Sequence, residues 1–65
     1  MIQKHILLIQ NLTTEKAQKQ IEEILANEGI AHEVYLKSKS VVVFSRGDTL
    51  AQAKRLMQKN GFEIL

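Results

Sequence analysis

The chain is predicted to fold as an α+β sandwich of order βαββαβ, two helices on one face of a four-stranded antiparallel sheet. Three observations carry this. Two stretches have helical periodicity, one from about Thr13 and one from about Asp48. Each is preceded by an aliphatic, β-branched run of strand length, Ile6 to Ile9 and Ser40 to Phe44. The helices end alike, in Asn27-Glu28-Gly29-Ile30 and Lys59-Asn60-Gly61-Phe62, so the chain reads as two similar halves.

Ile6 to Ile9 is too short for a helix and suits a central strand with both faces partly covered. Asn11 is a turn residue, and Thr13 reads as the N-cap, its hydroxyl free to accept an orphan amide of the first turn. Glu15 follows where the helix dipole favours an anion. Ala17, Ile21, Ile24 and Leu25 share one helix face, and Gly29 stops the helix as a left-handed residue. Ile30 to Leu36 alternates as a strand, with His32, Val34 and Leu36 toward the helices. Lys37-Ser38-Lys39 reads as a hairpin turn, and Ser40 to Phe44 as a strand rich in strand formers. After Arg46-Gly47, Asp48 reads as the second N-cap. Leu50, Ala53, Leu56 and Met57 form that helix's apolar face, Gly61 ends it, and Phe62 to Leu65 is the expected fourth strand. Right-handed crossovers then give a ferredoxin-like arrangement.

Residues 1–65 are one domain. A chain this short buries roughly 60% of its unfolded surface. With 0 cysteines, no disulfide can supplement the core. Net charge is only +2, with basic and acidic residues interspersed, so no nucleic-acid footprint is expected. No apolar run reaches membrane-spanning length and no export signal is recognised, so a cytoplasmic setting without membrane insertion is expected.

The segment Asn11-Leu12-Thr13-Thr14-Glu15-Lys16-Ala17, between the first strand and first helix, resembles the metal-binding loop of the heavy-metal-associated family. That family comprises copper chaperones and the N-terminal domains of heavy-metal P-type ATPases, and its loop reads Gly-Met-Thr-Cys-x-x-Cys. The finishing Gly61-Phe62-Glu63-Ile64 also looks like the family's ending. The resemblance implies that Leu12 plugs the core beneath the loop and that Phe62 lies near it. It also puts Thr14 and Ala17 where both cysteines would stand. A threonine hydroxyl stays protonated at neutral pH and alanine offers no ligand, so the soft thiolate chemistry is missing. The implied function is a non-catalytic interaction or regulatory module related to metal-transport proteins. The alternative is a copper- or zinc-chaperone-like protein with a non-standard site.

Other chemistry finds little footing. His5, His32, Met1 and Met57 are the remaining soft or borderline ligands, without the spacing of a metal site. His32 is expected half-buried and hydrogen-bonded, and His5 solvated. No cofactor is expected. Thr13, Thr14 and Ser45 have no visible base partner, so no enzyme is expected. The helix N-terminus at Thr13 and Thr14 could hold an anion, although capping is the simpler reading. RNA stacking would need exposed aromatics on the central strands, and Tyr35 lies on an edge strand.

The open face of the sheet is the best candidate for function. With Leu7 and Ile9 toward the helices, Ile6 and Leu8 point away. Val42 and Phe44 are expected inward, leaving Val41 and Val43 outward. Ile6, Leu8, Val41 and Val43 would then form an apolar interaction face for a protein partner or a homodimer, with Tyr35 and Leu65 at its border. The competing explanation is that valines on a sheet are simply good strand formers.

Overall fold

The computed structural model describes residues 2–65. In chain order it contains β1 (Gln3–Leu8), α1 (Glu15–Asn27), β2 (Ala31–Tyr35), β3 (Ser40–Ser45) and α2 (Gly47–Lys59). β1 and β2 both pair antiparallel with β3, giving a three-stranded sheet of order β1-β3-β2.

The expected four-stranded sheet is therefore corrected to three strands in a small α+β fold. The tail reaches β1 through a single antiparallel bridge, Ile9 to Ile64. Two hydrogen bonds flank it, Gln10 N–H to Glu63 O and Leu65 N–H to Leu8 O, both 2.8 Å. The cause lies at the end of α2. Gly61 (φ 91°) turns the chain, Gly61 N–H bonds Gln58 O at 3.0 Å and Phe62 N–H bonds Met57 O at 3.0 Å. This is the Schellman pattern, in which the residue after the glycine packs back on the last turn. Phe62 is thereby drawn into the core (5% exposed) instead of extending along β1, and the tail meets that strand at one bridge.

α1 ends by the same chemistry. Gly29 (φ 67°) bonds Ala26 O and Ile30 bonds Leu25 O, both at 3.0 Å. Ile30 joins the core cluster with Leu25 beneath it. The N-termini lie close to the expected places with different caps. Thr14, not Thr13, caps α1: its Oγ1 accepts from Ala17 N–H at 3.1 Å. Arg46, not Asp48, occupies the α2 N-cap position and makes no side-chain bond there. Asp48 sits within the first turn, where its Oδ1 accepts from Thr49 N–H at 2.9 Å.

Residues directly opposite in an antiparallel pair share a face. Leu7 pairs with Val41 and His5 with Val43, while Ile6 pairs with Val42 and Lys4 with Phe44. The helix-facing side of β3 is therefore Val41 and Val43, both fully buried. Val42 and Phe44 belong to the open side, the reverse of the expectation. Leu7, Ile9, Leu12, Ile21, Leu25, Val41, Val43, Ala53 and Met57 make the centre of the core between sheet and helices.

Candidate functional site

The loop that resembles a metal site is closed by its own side chains. Leu12 is fully buried and packs in the core, which fixes the strand-to-helix turn from below. The bond from Ala17 N–H to Thr14 Oγ1 joins the two positions that would carry thiolates. The bond is a helix cap, which satisfies one of the orphan amides of the first turn. Asn11 locks the other side. Its Nδ2 donates to Gly61 O at 2.8 Å and its Oδ1 accepts from Glu63 N–H at 2.9 Å, binding the loop to the tail. A glycine at this place could make neither bond.

The two histidines share one row of the sheet. His5 and His32 both lie opposite Val43, one on each side, on the helix-facing surface. Two strand spacings separate them, on the order of 10 Å between backbones. His32 is half-buried, and its Nδ1–H donates to Ile30 O at 2.8 Å. His5 is half-buried rather than solvated, and its Nε2 is shielded from solvent without a hydrogen-bond partner among the described residues. Its position opposite a core valine forces this, since alternation sends odd residues of β1 toward the helices. No group of three or more His, Cys, Asp or Glu is placed to hold a metal among the described residues. Of the hydroxyls considered as nucleophiles, buried Ser45 donates to Arg46 O at 3.1 Å, and Thr14 accepts from Ala17 N–H as the helix cap.

The open face collects the exposed apolar side chains. Ile6 is 62% exposed and Leu8 49%, both in the middle or end of a strand whose other side is core. Tyr35 and Leu65 border them, at 46% and 77% exposed. The register completes the surface with Val42 and Phe44 in the centre and with Lys4 and Glu33 at opposite rims. Val42 is on this face yet only 5% exposed, because neighbouring strands crowd it from both sides. Of the expected interaction residues, the structure brings together Ile6, Leu8 and Tyr35. It places Val41 and Val43 on the opposite side, where they are core. Val42 and Phe44 were missed. The pairing of Val34 with Val41 across the tight turn at residues 36–39 could have found them, since Val34 faces the helices.

Tyr35 Oη donates to Glu33 Oε2 at 2.8 Å along the same face of β2. This bond holds the phenol above its ordinary pKa, because ionisation would forfeit the donated proton and set two negative charges together.

No family model, curated protein or solved structure matches the chain. Among the described residues no helix is long and apolar enough to cross a membrane.

Proposed function

We propose that this domain is a non-catalytic protein-interaction or regulatory module that docks a partner protein on the open face of its sheet, in a cytoplasmic setting. The observation that carries this reading is the exposure of Ile6 and Leu8 in a strand whose alternate residues are core. Contiguous apolar surface with a polar rim is the pattern of interaction sites. The face selects its partner by charge as well: Lys4 on one rim favours an acid and Glu33 on the other favours a base.

The relation to metal-transport proteins belongs to the same proposal. Buried Leu12 and the Gly61-Phe62-Glu63-Ile64 ending support it. The Thr14 cap supports a member that has exchanged ligand chemistry for structure.

The test is an apolar fluorescent dye titrated against the wild type, Leu8→Lys and Val42→Lys, with amide spectra as a check on folding. The wild type should bind dye. Leu8→Lys should keep the fold and lose most of the binding. An unchanged titration in Leu8→Lys would sink the open-face reading. Cu(I) and Zn(II) titrations of the same chain should give no saturable shifts at Asn11 to Lys16; saturation at one equivalent would overturn the non-metal part.

A further inference from the structure

The sheet has two outer edges, and β1 offers the one that a second copy can use. Ile9 N–H donates to Lys39 O at 2.8 Å, in phase with the Leu7–Val41 and His5–Val43 pairs, so odd residues of β1 turn their backbone groups toward β3. The even residues turn theirs outward, and Leu8 O accordingly accepts from Leu65 N–H at 2.8 Å. Among the described residues the edge is covered no further than this contact. The outward N–H and C=O groups of Lys4 and Ile6 have no backbone partner among the described residues.

A row of unpaired backbone groups is a template for another strand, and proteins usually blunt it with charge, proline or a bulge. β1 carries one charge, Lys4, and 0 prolines occur in the chain. Four of the five most exposed large apolar side chains stand at this edge: Ile2 (69%), Ile6 (62%), Leu8 (49%) and Leu65 (77%).

We infer that β1 pairs antiparallel with β1 of a second copy about a two-fold axis through His5, joining two three-stranded sheets into one. The register follows by elimination. Side chains on one face must meet their own kind, so the axis falls on a residue of the strand. An axis at Ile6 would set Lys4 of the second copy opposite Leu8, where Leu65 already sits. An axis at Lys4 would set two ammonium groups directly opposite, which is destabilising. An axis at His5 sets Lys4 opposite Ile6 in both directions, so that the outward groups of these two residues bond one another. The lysine stems then lie along isoleucine while their charges reach water. Ile2 of the second copy, outside the strand, would fall opposite Leu8 where Leu65 sits, so the paired stretch runs only from Gln3 to Leu7 and Ile2 turns away beside Leu65. The other edge, β2, lacks this option: a two-fold at its midpoint opposes two Glu33 carboxylates. The interface is isologous, as closed dimers require. It also makes the two open faces continuous, but it uses backbone groups and does not rest on the open-face reading.

The test combines sedimentation with single-cysteine oxidation, which is clean in a chain with 0 cysteines. The wild type should sediment as a dimer across a concentration series. Lys4→Pro removes an outward N–H that the monomer does not use, so it should halve the mass while the amide spectrum keeps its dispersion. In His5→Cys the paired positions would be about 4.5 Å apart, within disulfide range, and a covalent dimer should form several-fold faster than in Ile6→Cys or Glu33→Cys. Should His5→Cys fold poorly, Lys4→Pro still decides. A wild type that stays monomeric, a dimer untouched by Lys4→Pro, or fastest crosslinking in Ile6→Cys or Glu33→Cys would each overturn the pairing. Leu8→Lys should lose dye binding and keep the dimer, which separates the two proposals.

Discussion

The two helices of this domain end alike and begin differently. α1 and α2 both stop at a glycine in positive φ, Gly29 and Gly61, with the next apolar residue folded back onto the last turn. At their starts, Thr14 caps α1 while Arg46 leaves α2 without a side-chain cap. The segments that follow diverge as well: Ala31–Tyr35 becomes a full strand, and the residues after Phe62 make one bridge. The similar stops fix where each chain segment leaves its helix. What differs is the support beyond. β2 has a ladder along β3, whereas the tail has the Asn11 side chain, one bridge and the burial of Phe62.

This contrast can be broken most directly at the two residues that fold back. Phe62→Ala should cost about 3–5 kcal/mol, the range for a large aromatic removed from a core. Ile30→Ala should cost about 2–4 kcal/mol, less because the β2 ladder still holds that segment. Urea unfolding of both variants measures the difference; equal losses would mean that the tail is better supported than its contacts show. The glycines come next. Gly61→Ala and Gly29→Ala should each cost about 1–2 kcal/mol, since Ala carries a Cβ penalty at positive φ. Gly61, at φ 91°, lies further from the left-handed helical region than Gly29 at 67° and should lose more.

The starts of the helices sharpen the comparison at a smaller scale. Thr14→Ala should destabilise by about 1 kcal/mol. Arg46→Asp should stabilise by about 0.5–1 kcal/mol, because it supplies the missing acceptor at an extended N-cap. Thermal melts of the pair should move in opposite directions. The smallest effect belongs to Tyr35, the 1 tyrosine in a chain with 0 tryptophans, so ultraviolet absorbance follows it alone. Its phenol should titrate above the ordinary value, and Glu33→Gln should bring it down. The folded pKa is the raised one. Any stability from the bond is therefore complete below the unfolded pKa and disappears as pH rises through the folded value.

Much of the fold was legible because its punctuation is local. Gly29 and Gly61 mark both helix ends, and the resemblance of segment 11–17 to a known loop implied the burial of Leu12. The facing of β3 was not legible from that strand alone. Val41, Val42, Val43 and Phe44 are all apolar, so alternation has no phase, and Ser40 and Ser45 fall on opposite parities. The phase comes from pairing: Leu7 with Val41 on one side, Val34 with Val41 on the other. The same non-local cause moved the candidate surface from Val41 and Val43 to Val42 and Phe44. The fourth strand failed for a different reason, since the burial of Phe62 competes with extension along β1. The caps were misplaced by one residue at Thr14 and two at Arg46, because threonine and aspartate remain plausible caps at several adjacent positions.

The Asn11 clamp carries a consequence for the order in which the chain assembles. Its bond to Glu63 N–H spans 52 residues of sequence. Closing so long a loop is entropically costly, so such a contact forms after the local turns and the hairpin of β2 and β3. Asn11→Ala should therefore leave the refolding rate nearly unchanged and speed unfolding, the pattern of a bond made after the rate-limiting step. Stopped-flow chevrons would show it as a shift of the unfolding arm alone. With 0 prolines in the chain, no isomerisation phase should obscure that reading.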